Sequence, residues 1–164
     1  MMRRIAVYAG TFDPVTNGHL DLVERGLRIF GQLIVAVAAN PRKKPLFSHE
    51  ERIEMFREVT ANLKNVTIEG FNGLLIDYVK QREVVAIIRG LRAVSDFEYE
   101  MQMALTNRRL ATNVEAVFMM PNEAYSFVTS SIVKEVASYG GDVSSFVPPL
   151  VFKKLRSKFG KTNG

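Results

Sequence analysis

The first run able to do chemistry is Gly10-Thr11-Phe12-Asp13-Pro14-Val15-Thr16-Asn17-Gly18-His19. Gly10 lets the backbone pass tightly, and Thr11 offers a hydroxyl and an amide to an anionic oxygen. His19 falls in the first turn of the helix that follows, where free amides and the helix dipole favour an anion. A histidine there can donate to a phosphate oxygen without acting as a base; a satisfied structural histidine is the competing reading. Further along, Thr129-Ser130-Ser131 places three hydroxyls at a helix start where a cap needs only one, a second anion site. Cations come in small groups: Arg42-Lys43-Lys44, Arg89 with Arg92, Arg108-Arg109, and a cluster between 153 and 161. By spacing alone, 42–44 is a solvated basic loop and the last cluster solvates a helix and tail. Arg92 can reach a triphosphate or pair with Asp96 or Glu98.

The chain around these residues has 164 residues, 47% hydrophobic and 24% charged, enough for one domain with a real core. Its net charge of +5 suits polyphosphate ligands. The scattered cations argue for small phosphorylated ligands rather than a nucleic-acid backbone, which calls for a dense basic stripe interleaved with aromatics. With no cysteine, thiolate nucleophiles, disulfides and cysteine metal sites are excluded. The apolar stretch 5–8 is too short for a signal peptide's core, and no later run approaches a membrane span. A cytoplasmic enzyme with no membrane and no nucleic-acid partner is the expectation. Walker A and Gly-x-Gly-x-x-Gly strings are absent, against kinase and dehydrogenase readings.

Apolar runs of strand length alternate with helical periods. Strands are expected at 4–8, 33–39, 66–69, 84–88 and 115–119. Helices are expected at 18–30, from a capping box at Ser48–Glu51 to about 63, at 74–81, from a second capping box at Ser95–Glu98 to about 111, from Thr129, and from Pro148-Pro149. His49, inside the first box, reads as an exposed bystander. The pattern implies an α/β fold: a single doubly wound, Rossmann-like domain with a five-stranded parallel sheet flanked by helices, and 159–164 as a frayed tail. In such a sheet ligands sit at the carboxyl ends of the strands. The unusual residues collect there, so all five strand-to-helix loops are expected to face one cleft.

The run from Gly10 to His19, with Thr16-Asn17-Gly18-His19 at its end, resembles the signature of the nucleotidylyltransferase superfamily. The resemblance extends to the bacterial-type phosphopantetheine adenylyltransferase family through Asn40–Pro45, through Ile88-Arg89-Gly90-Leu91-Arg92 to Asp96-Phe97-Glu98-Tyr99-Glu100, and through Val128–Glu135. It covers about residues 3–158. It implies reversible transfer of AMP from ATP to 4′-phosphopantetheine, giving dephospho-coenzyme A and pyrophosphate, with Mg²⁺ as cofactor. The acceptor is a phosphate monoester already ionised at neutral pH, so no general base is required. The resemblance implies catalytic roles for His19, Lys43 and Arg92. It implies ATP contacts at Thr11, Phe12, His19, Gly90, Leu91, Arg92, Glu100, Tyr125, Ser126, Phe127, Val128, Thr129, Ser130 and Ser131. Acceptor contacts are implied at Thr11, Lys43, Leu75 and Arg89.

The residues taken alone leave other readings open. Glu100 is a solvent-facing glutamate in a helix's second turn, and Leu74 with Leu75 are core residues opening a helix. The family more often has serine where this chain has Thr129, which keeps the hydroxyl. No protein ligand for magnesium is assigned; Asp13 is the nearest acidic candidate by sequence. A homohexamer and feedback inhibition by coenzyme A are family expectations. A related enzyme with nicotinate mononucleotide or glycerol phosphate as acceptor, and a non-catalytic nucleotide- or RNA-binding module, are the alternatives.

Overall fold

A computed structural model describes residues 4–92 and 94–160; the side chains of residues 94 and 95 lie outside the described residues. Five parallel strands form one sheet in the order β3-β2-β1-β4-β5. They are β1 (Arg4–Gly10), β2 (Gly31–Ala38), β3 (Val66–Phe71), β4 (Val84–Gly90) and β5 (Glu115–Met119), with helices α1 (Asn17–Phe30), α2 (His49–Val59), α3 (Leu75–Lys80), α4 (Val94–Leu110), α5 (Ser130–Ser138) and α6 (Pro149–Phe159).

Side chains along a strand alternate between the sheet's faces, and here both faces are buried. Ala6 and Tyr8 of β1 join Leu33, Val35 and Val37 of β2 in the larger core, with residues of α1, α2, α5 and α6. Val7 and Ala9 point the other way, with Ala36, Ile87 and the α3 residues Ile76 and Val79. The helices after β1 and β2 thus cover one face, and α3, leading to β4, covers the other. The strand order reverses between β1 and β4, the switch point at which a doubly wound sheet opens a crevice at its carboxyl edge.

Caps set the helix starts. Thr16 and Ser48 each close a reciprocal capping box, at α1 with His19 and at α2 with Glu51. Each cap contributes about 1 kcal/mol, whereas burying Leu22 and Val23 of α1 contributes roughly 3–6 kcal/mol together. Packing therefore holds α1, and the cap decides where it begins.

The structure departs from the sequence reading at several ends. Strand β1 continues to Gly10 because Ala9 and Gly10 pair with Ala36 and Val37. Strand β3 runs on through Gly70 to Phe71. Glycine reads as a strand breaker, but a Cβ at Gly70 would lie 2.6 Å from Ile53 Cδ1 and 2.7 Å from the His49 ring, so a larger residue would have to displace them. Helix α2 stops at Val59, where the Thr60 hydroxyl bonds back to Phe56 O at 2.7 Å, and a turn replaces the expected last four residues. Helix α4 starts at Val94, one residue before the expected serine cap; the Ser95 side chain is outside the described residues. Of the expected frayed tail, Phe159 ends α6 and Gly160 caps it; residues 161–164 lie outside the described residues. No helix among the described residues is long and apolar enough to cross a membrane.

Candidate active site

Two cavities adjoin at the carboxyl edge of the sheet. The first, about 520 Å³, lies between the loop after β1, the end of β4 and the loop from β5 to α5. The second, about 900 Å³, lies under the loops after β2 and β3 and beside α4. Both are sized for small ligands. Thr11, Lys43, Arg89 and Glu100 line both, so a group at their junction would meet an exposed ammonium and a guanidinium at once. All five strand-to-helix loops contribute, as expected.

At the first cavity, the Thr16 backbone N–H donates to His19 Nδ1 at 3.0 Å, and His19 N–H returns to Thr16 Oγ1 at 3.3 Å. An Nδ1 that accepts leaves the proton on Nε2, and the cleft-lining ring offers Nε2–H as a donor. Burial, then the Arg92 charge, pushes the His19 pKa from 6.5 down to about 3, so the ring is a neutral donor at physiological pH. The Phe12 ring stands edge-on to it at 5.0 Å between centroids. Phe12 itself is buried against Phe56, with its backbone at φ 50, a strained value for a non-glycine residue. Gly18 lets Tyr125 pack closely, since a Cβ there would lie 3.2 Å from Tyr125 Cβ, tighter than an ordinary contact.

At the other wall, Thr129 uses its hydroxyl to cap α5 at Ile132 N, and Ser130 donates to Pro14 O at 2.8 Å. Among the described residues, only the Ser131 hydroxyl of the three has no protein partner. Gly90, Arg92, Tyr125 and Val128 also line this cavity. Leu91, Ser126 and Phe127 lie beside it: Leu91 N bonds to Met119 O, Ser126 Oγ to Glu123 O, and the Phe127 ring packs on Phe146.

Arg89 donates from Nε and Nη2 to Glu100 at 2.8 and 2.7 Å, and from Nη1 to Ala9 O at 2.9 Å. Burial works against the Arg89 charge, and the Glu100 carboxylate more than offsets it. Two of its five N–H groups stay free for a ligand. Glu100 is therefore buried and paired, not the solvent-facing glutamate that composition favours. Arg92 pairs with Asp96 at 3.2 Å, as its spacing allows. Leu75 lines the second cavity and packs on the smaller core, while Leu74 is exposed at the cavity's edge rather than in the core.

Three residues turn out differently from their sequence reading or went unnoticed. Asp13 is buried, accepting from Leu46 N and Phe47 N at 2.9 Å and from Lys134 Nζ at 2.6 Å. It ties three segments together through three of the roughly four acceptor sites of a carboxylate. His49 is no bystander: its Nε2 donates to Val37 O at 2.8 Å across β2. Arg52, 1% exposed, donates to the carbonyls of Phe47, Ser48, Thr11, Ala38 and Ala39. Nothing local marks it, since its partners lie up to 41 residues away.

The crevice at the switch point, two facing helix N-termini and a cationic junction define an α/β protein built to hold a nucleotide against a second anionic ligand. The chain matches the model of the cytidylyltransferase-like family over residues 7–136. It is 55% identical over 161 residues to a phosphopantetheine adenylyltransferase of Thermodesulfovibrio yellowstonii, covering 98% of this chain and 100% of that protein. It is 54% identical to one of Heliobacterium modesticaldum, covering 96% and 94%. The chain belongs to the phosphopantetheine adenylyltransferase family within that cytidylyltransferase-like group. A crystal structure from Vibrio parahaemolyticus assigned as a nicotinate-nucleotide adenylyltransferase has the same fold, with a TM-score of 0.68 at 13% identity over 98% of both chains.

Proposed function

We propose that this enzyme transfers the adenylyl group of ATP to 4′-phosphopantetheine, reversibly, giving dephospho-coenzyme A and pyrophosphate. The observation that carries the reading is the meeting of two cavities at Thr11, Lys43 and Arg89. ATP takes the first, its triphosphate running between the N-termini of α1 and α5. The acceptor takes the second, its arm along Leu75 and its phosphate at the junction. An acceptor-phosphate oxygen attacks the α-phosphorus, the P–O bond to the β-phosphate breaks, and pyrophosphate leaves. No proton moves, because the attacking oxygen is already ionised. Catalysis is positioning and charge stabilisation. His19 donates Nε2–H to an α-phosphate oxygen, Lys43 bridges acceptor and α-phosphate, and Arg92 meets the leaving phosphates. Glu100, at the nucleotide edge, holds Arg89 toward the acceptor.

Mg²⁺ would be held mainly by the triphosphate's own oxygens and would supply charge neutralisation there. Among the described residues no cluster of three His, Asp or Glu side chains is placed to cage a metal, and Mg²⁺ is ordinarily held by phosphate oxygens and water with few protein ligands. Coenzyme A, which carries the same pantetheine arm, would compete for the second cavity. Self-association, with six copies as the family expectation, is supported by α4, which exposes Phe97, Tyr99, Met101, Met103, Leu105 and Leu110. A cytoplasmic location fits a chain without cysteine.

Acceptor competition tests the assignment. With equal 4′-phosphopantetheine and nicotinate mononucleotide, we expect dephospho-coenzyme A alone by mass. Faster adenylylation of nicotinate mononucleotide would reject the acceptor.

A further inference from the structure

Thr11 and Lys43 sit on different loops, one after β1 and one after β2, yet the proposed reaction needs both at one phosphate. Two side chains join these loops. Arg52 fastens their backbones, with Nη1 shared between Thr11 O at 2.7 Å and Ala38 O at 2.6 Å, and Nη2 on Ala39 O at 2.9 Å. Among the described residues no carboxylate lies within ion-pair distance of Arg52, so its donors serve the carbonyls alone. Asn40 then reaches from the second loop to the first, its Nδ2–H donating to Thr11 Oγ1 at 3.0 Å. Its backbone lies at φ 44, ψ 56, the left-handed region that asparagine and glycine tolerate best.

A hydroxyl that accepts a bond from an amide keeps its own hydrogen to give away. The geometry points to Asn40 as a positioning residue for the acceptor: by donating to Thr11 Oγ1 it turns the Thr11 hydroxyl into a committed donor toward the phosphate at the cavity junction. Thr11 lines both cavities and Asn40 only the second, so a Thr11 hydroxyl steered from that side acts chiefly on the acceptor phosphate. This inference rests on the reading of Thr11 as an acceptor-phosphate contact. Because Arg52 fastens the loop backbones independently, replacing Asn40 changes the direction of one hydroxyl without unlatching the loops.

Two substitutions separate donation from shape. Asn40→Gly keeps the left-handed backbone and removes the amide. Asn40→Asp keeps the shape but can only accept, which pulls the Thr11 hydrogen away from the ligand. Steady-state kinetics of the full enzyme should show kcat/KM for 4′-phosphopantetheine reduced roughly 3–10-fold in Asn40→Gly, with KM for ATP within about twofold of the parent. Asn40→Asp should lose about tenfold more, having also placed a carboxylate near a dianion. A double-mutant cycle shows whether the effect runs through Thr11: in a Thr11→Val background, Asn40→Gly should cost nothing further. Full activity of Asn40→Gly, or an undiminished loss in the Thr11→Val background, would overturn the role of Asn40 while leaving the Thr11 contact standing. Unchanged acceptor kinetics in Thr11→Val alone would overturn both.

Discussion

His19 is held by one ring nitrogen and offered by the other. The bond from Thr16 N–H fixes the tautomer, so the side chain arrives at the cleft as a neutral donor needing no proton uptake. His19→Ala is expected to keep the fold and ATP binding while kcat falls at least ~100-fold, as for loss of one preorganised donor; near-normal turnover would remove His19 from the mechanism. The low pKa has a second consequence. Because the unfolded histidine titrates near 6.5 and the folded one at about 3, its contribution to stability is whole above 6.5 and is lost as pH falls toward 3. Between pH 7 and about pH 5 the parent should therefore lose more stability than His19→Asn, by at most about 2 kcal/mol. Denaturant midpoints at the two pH values measure this, and equal losses would place the ring in solvent. The place of His19 in the first turn of a helix was legible because cap, spacing and residue type coincide within four positions. Its tautomer was not, since that depends on which backbone group meets Nδ1.

At the scale of elements, the site depends on ties between segments distant in sequence. Asp13 anchors the loop after β1 to the entry of α2 and, through Lys134, to α5. Asp13→Ala leaves a half-buried ammonium and two amides unpaired, a cost on the order of 3 kcal/mol, or a drop in Tm of roughly 6–12 °C for a domain this size. Glu54→Ala, at an exposed pair with Arg57, should shift Tm by less than about 2 °C. Similar shifts for the two variants in thermal unfolding would contradict the anchoring role. Strands and helices were legible from period and caps, because those signals are local. Where the reading stopped short, as at Gly10 and Gly70, pairing with a neighbour or a filling ring from another element overrode local preference. The carbonyls that accept from Arg52 and two of the three donors to Asp13 are main-chain groups, which carry no sequence signature at all.

At the scale of the molecule, one sheet edge gathers every loop that carries chemistry, and one helix, packed on β5, keeps apolar side chains exposed. The exposed apolar residues of α4 account for assembly only if other copies cover them. Sedimentation is expected to give a hexamer for the parent and smaller species for Leu105→Glu with its helical content intact; a monomeric parent would leave α4 without that role. The central claim is adenylyl transfer to a phosphorylated acceptor, and pyrophosphate release tests it most directly. With ATP and Mg²⁺ present, release should be negligible until 4′-phosphopantetheine is added, and should then match dephospho-coenzyme A one for one. Release that ignores the acceptor, or none from folded protein that binds ATP, would contradict it.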